Sequence, residues 1–89
     1  MDIKETIKST MLTAITKVFS VEKDYLENNL DLRFVEDMNA TSIQLFPIIS
    51  ALEDELDIEI QYQDFRRNGK SIQEAIDFVK DEYERTYGD

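Results

Sequence analysis

Residues 34–60 read FVEDMNATSIQLFPIISALEDELDIEI, and their patterning sets the fold class. From Ser42 to Leu56 the apolar residues Ile43, Phe46, Ile49, Ala51, Leu52 and Leu56 recur at helical spacing. Thr41 and Ser42 both carry hydroxyls able to cap that helix. Pro47 complicates its start, because proline lacks an N–H and crowds the carbonyl of Ile43. Either the helix bends near its start, or its regular part begins at Phe46 or Pro47 and leaves Ser42 on a looser approach segment. Asp57-Ile58-Glu59-Ile60 alternates like a strand, but no second run could pair with it, so it reads as an extended exit.

Working outward, Ile3, Ile7, Met11, Ala14, Ile15, Val18 and Phe19 form one stripe of a helix from about Asp2 to Phe19. Asp2 and Glu5 have the form of a capping box. The connection from Ser20 to Ala40 is long, and such loops are uncommon without a function. Its scattered apolar residues, Phe34 above all, are expected to pin it across the core, with a short helical turn near Glu22–Leu26. Beyond Ile60, Tyr62–Arg67 suits a short third helix ended by Asn68-Gly69. Ser71 and Glu74 form a second capping box, and Ile72, Ala75, Ile76, Val79 and Tyr83 line the final helix. The expected fold is all-α: a small antiparallel four-helix bundle with three main helices, one short third helix and a long first loop. At 89 residues it is one domain, 1–89.

Composition narrows the chemistry. The chain has no histidine, which removes the commonest general base and metal ligand. It has no cysteine, which removes disulfides and thiolate metal sites. Asp31, Glu36 and Asp37 lack the spacing and glycine of a calcium loop and read as surface charge. A self-contained enzyme is therefore not expected. The net charge of −10 disfavours nucleic acid and anionic membranes and favours partners with basic patches. No apolar leader or spanning segment is visible, so a cytoplasmic monomer is the expectation.

Three blocks carry a resemblance. Phe34-Val35-Glu36-Asp37-Met38-Asn39-Ala40-Thr41-Ser42-Ile43 is similar to the run that opens the second helix of acyl carrier proteins, Phe-x-(Glu/Asp)-Asp-Leu-Gly-x-Asp-Ser-Leu. Ala51–Ile60 resembles the end of that helix and its exit, and Ser71–Val79 resembles the family's last helix. The resemblance implies that Ser42 takes a covalent 4'-phosphopantetheine arm from coenzyme A, whose thiol carries acyl groups as thioesters. It implies as partners a phosphopantetheinyl transferase, which supplies the catalytic groups, and acyl-processing enzymes with basic docking patches. The missing cysteine and histidine then need no replacement. Thr41, Ile43, Gln44, Phe46, Pro47, Glu53 and Asp54 are the expected partner-binding residues. Between Phe34 and Phe65 stand eight acids and no Lys or Arg, a stretch of one sign for steering basic partners.

The pattern has departures. Thr41 stands where the family usually has Asp, and losing a charged hydrogen bond there would cost roughly 1.5–3 kcal/mol in transferase recognition. Asn39 replaces Gly and is the next best residue for a left-handed backbone. Gln44 and Pro47 stand where acids are common, and Phe46 and Ile48 are expected to enlarge an apolar contact surface. Arg66, Arg67 and Lys70 form a basic spot. Arg66 and Arg67 read first as partners of a helix C-terminal dipole. The alternative function is an unmodified, carrier-like interaction module.

Overall fold

The computed structural model describes residues 2–88. Its elements are α1 (Ile3–Phe19), α2 (Lys23–Glu27), α3 (Ser42–Leu56), α4 (Tyr62–Asn68) and α5 (Ile72–Tyr87), with no strand among the described residues. The all-α bundle agrees with the expectation, and the helical turn in the first loop is realised as α2, one residue later.

Helix α1 buries Ile7, Met11, Leu12, Ala14 and Ile15 and packs on α3 and α5. Residues such as Ile7, Ile48 and Ile76 are shielded from water, each worth roughly 1.5–3 kcal/mol relative to exposure. Asp2 caps α1 by accepting from the Lys4 N–H at 3.1 Å, so its partner is the second helical residue rather than the third that a capping box uses. The helix stops at Ser20, whose backbone is left-handed at φ 57°.

The first loop is pinned as expected. Phe34 is 2% exposed and lies 6.0 Å, centroid to centroid, from the buried Phe65. Backbone bonds tie the loop to the start of α5: Phe34 N–H to Lys70 C=O at 3.0 Å, and Ile72 N–H to Leu32 C=O at 3.0 Å. Ser71 and Glu74 form the capping box of α5, with both bonds at 3.1 Å. Gly69 ends α4 at φ −106°, so a left-handed turn is not why glycine stands there. A Cβ at that position would lie 2.9 Å from the Ala75 backbone and from the Phe65 carbonyl. Close approach of α4 to α5 is the reason.

Two expectations about α3 are corrected. Its buried face is Leu45, Ile48, Ile49, Leu52 and Leu56, while Ile43 is 79% and Phe46 50% exposed. Ile48 is fully buried, so it cannot widen a contact surface. The loose approach to Pro47 does not occur either. Helix α3 begins at Ser42 and runs through the proline, which is its sixth residue. The proline forfeits one bond to the Ile43 carbonyl. That turn faces water, where solvent can replace the lost donor.

Candidate functional site

Ser42 is exposed and is the first residue of α3. It is not the cap. Thr41, with extended backbone at φ −106° and ψ 168°, holds that position. The Gln44 side-chain oxygen reaches back to accept the Thr41 N–H at 2.9 Å and the Thr41 hydroxyl at 3.3 Å. Among the described residues no side-chain hydrogen bond engages the Ser42 hydroxyl. The neighbours cap the helix and leave that oxygen free. Asn39, three residues earlier, turns the chain into this position with a left-handed backbone at φ 56°. Its signal was legible, because asparagine tolerates that conformation better than most residues. The amides of a helix's first turn point outward, and its dipole favours a negative group, so a phosphate ester at Ser42 would sit in a favourable field.

The surroundings divide into an apolar half and an acidic half. Ile43, Phe46 and Pro47 are exposed, and no charged residue occurs from Asn39 to Leu52. Asp54, Glu55, Asp57 and Glu59 are exposed beyond that neutral stretch and make no ion pair among the described residues. Asp54 is thus exposed and uncommitted among the described residues. Glu53 does not stand free, because its carboxylate accepts the Ile60 N–H at 2.9 Å and fastens the exit segment. Gln44 is likewise committed to the cap.

Sequence spacing missed two residues. Leu45, 2% exposed, faces α4 one turn beyond Ser42. Tyr62 stacks its ring 4.8 Å from that of Phe46, at an interplanar angle of 45°. Only their positions three residues after Ser42 and at the start of α4 could have suggested them. Between α3 and α4 lies a cleft of about 190 Å³ lined by Phe34, Val35, Leu45, Phe65, Arg66 and Lys70, with Glu36 and Gly69 completing it. A larger groove of about 370 Å³ runs between α1 and α3 past Pro47, Ala51 and Glu55, on another face of α3 from Ser42. No cluster of three metal-ligating side chains occurs among the described residues, and no helix there is long and apolar enough to cross a membrane.

No protein-family model matches the chain. Curated relatives do. The chain is 39% identical over 57 residues to a protein named acyl carrier protein in Solidesulfovibrio magneticus, covering 64% of this chain and 72% of that one. It is 31% identical over 65 residues to a protein of the same name in Buchnera aphidicola subsp. Schizaphis graminum, covering 73% of this chain and 78% of that one.

Proposed function

The chain belongs to the acyl carrier protein family, non-catalytic carriers that serve acyl-processing enzymes, and on that footing we propose that it holds acyl groups on a 4'-phosphopantetheine arm joined to Ser42. The observation that carries this reading is the Ser42 hydroxyl: exposed at the first position of α3 and relieved of capping by Thr41 and Gln44. The residues fit the group. A phosphodiester at Ser42 meets the positive end of a 15-residue helix and no carboxylate nearer in sequence than Asp37. When bound, the arm supplies the thiol that the chain itself lacks.

The chain's own residues present the arm. Ser42, Leu45 and Phe46 lie on one side of α3, since positions three and four apart share a helix face. An arm leaving Ser42 on that side passes over the seam with α4, where the cleft offers apolar walls. Ile43, Phe46 and Pro47 form the contact nearest the serine. Asp54, Glu55, Asp57 and Glu59 provide the field that draws basic enzymes, the phosphopantetheinyl transferase first among them.

Intact-mass spectrometry after co-expression with a broad-range transferase tests the reading. The wild type is expected to gain one phosphopantetheinyl group and Ser42→Ala none. An unmodified wild type would leave the alternative, an interaction module whose partner binding is indifferent to Ser42→Ala.

A further inference from the structure

Two cations stand at the mouth of the α3–α4 cleft. Arg66 and Lys70 both line it, and neither pairs with an acid among the described residues, although acids outnumber bases 20 to 10 in the chain. Glu36, the one acid at the mouth, is already paired with Arg33 at 3.1 Å. Arg66 is also aimed. Its guanidinium donates to the Tyr62 hydroxyl at 3.3 Å, and Tyr62 stacks on Phe46, four residues from Ser42. Lys70 is brought to the same end by the backbone. Its carbonyl accepts from Phe34 N–H at 3.0 Å, and the Phe34 carbonyl accepts from Ala40 N–H at 2.8 Å, two residues before Ser42.

We propose that this cleft seats a short acyl group bearing a carboxylate, with the acyl carbons against Phe34, Leu45 and Phe65 and the carboxylate between Arg66 and Lys70. The inference rests on the carrier reading and names the class of cargo. Size sets the length. A cavity of about 150 Å³ admits benzene, so about 190 Å³ suits roughly six to eight non-hydrogen atoms. Tethering supplies the occupancy, because a group held on an arm from Ser42 is present at an effective concentration in the millimolar range. Charge decides the chemistry. A neutral chain gains nothing from two cations at the rim, whereas a carboxylate can accept from both. The arm's own phosphate is attached at Ser42 and meets the α3 amides there, which leaves Arg66 and Lys70 for a group further along.

The test compares two thioesters of one shape. A broad-range transferase loads the full chain from glutaryl-coenzyme A or from its neutral terminal amide, and intact mass follows cleavage by hydroxylamine. The same thioesters on free pantetheine give the reference rate. The glutaryl form is expected to be cleaved roughly fivefold more slowly than the amide on the wild type, the upper range for exposed charge pairs. That difference is expected to vanish in Arg66→Gln/Lys70→Gln, with an unchanged helical circular dichroism spectrum. Equal rates on the wild type, or a difference that survives the double substitution, overturn the proposal. So does an Arg66 side-chain NMR signal that shifts fully with the bare thiol arm and no further with glutaryl, which would assign the cations to the phosphate. If no mass is added at all, the carrier reading itself has failed.

Discussion

The carboxylate of Glu53 accepts the backbone N–H of Ile60 at 2.9 Å, bridging the last turn of α3 to the segment that leads into α4. Ile58 and Ile60, 8% and 6% exposed, are held against the core by this closure. Glu53 is half-buried, so removing its carboxylate strands a donor with limited access to water. Glu53→Ala is expected to destabilise the fold by about 1–2 kcal/mol in urea titration. Asp54→Ala, at the exposed neighbouring position, is expected to stay within about 0.5 kcal/mol of wild type. Equal effects of the two substitutions would show that the bridge adds nothing to stability.

Gly69→Ala tests the α4–α5 contact. The added methyl would lie 2.9 Å from the Ala75 Cα and Cβ and from the Phe65 carbonyl, and two of those three atoms are backbone. With φ at −106°, alanine has no conformational objection, so packing alone sets the cost. A loss of about 1–3 kcal/mol is expected in chemical denaturation, the usual cost of overpacking. A neutral result would mean that α4 shifts freely, and the cleft beside it would then be adjustable in width.

Most of the fold was legible because the signals were of different kinds. The cap of α5 was written in two residues, Ser71 and Glu74, and the left-handed turn at Asn39 in one. The buried face of α3 was not legible, for a physical reason. From Ile43 to Leu52 nearly every residue is apolar, so spacings of three and four can be drawn through Ile43 and Phe46 as easily as through Leu45 and Ile48. Only the tertiary neighbours choose between those registers. Ser42 was legible as a hydroxyl at the start of α3, whereas its release from capping was not. That depends on Gln44 folding back to Thr41, a choice between two adjacent hydroxyls that propensity does not resolve.

Alkaline pH should loosen the end of α5. The Tyr87 hydroxyl donates to the carbonyls of Leu56 and Asp57, joining α5 to the end of α3. Desolvation there, with the Asp57 carboxylate adding to it, holds the Tyr87 pKa above the ordinary 10.0. A pKa raised in the folded state means stability fully present below pH 10 and lost as pH rises through the folded value. Lys80 acts with the same sign. Its bond to Glu84 and the charge of that carboxylate raise its pKa above 10.5. Thermal melts are therefore expected to fall more steeply between about pH 10 and 11 for wild type than for Tyr87→Phe/Lys80→Gln. Parallel melts would remove both groups as the cause.

Only one of the two halves of the α3 surface should respond to salt. Ile43 is 79% exposed and touches nothing that folding requires, so Ile43→Ala should leave stability within about 0.5 kcal/mol of wild type. Phe46→Ala should cost about 0.5–1.5 kcal/mol, because it forfeits the stack on Tyr62. Both are expected to slow arm transfer by a broad-range transferase, and by a factor that does not change with ionic strength, since apolar contact is not screened. Asp54→Lys/Glu55→Lys reverses two exposed charges that lie outside the neutral stretch around Ser42. Its effect should be on encounter rate, largest near 0.01 M salt, where the screening length is about 30 Å, and nearly absent at 1 M, where it is about 3 Å. Initial rates of transfer across that salt series, measured for all four proteins, separate the two contributions. A salt-dependent penalty for Ile43→Ala would sink the division of the surface into an apolar contact and an acidic guide.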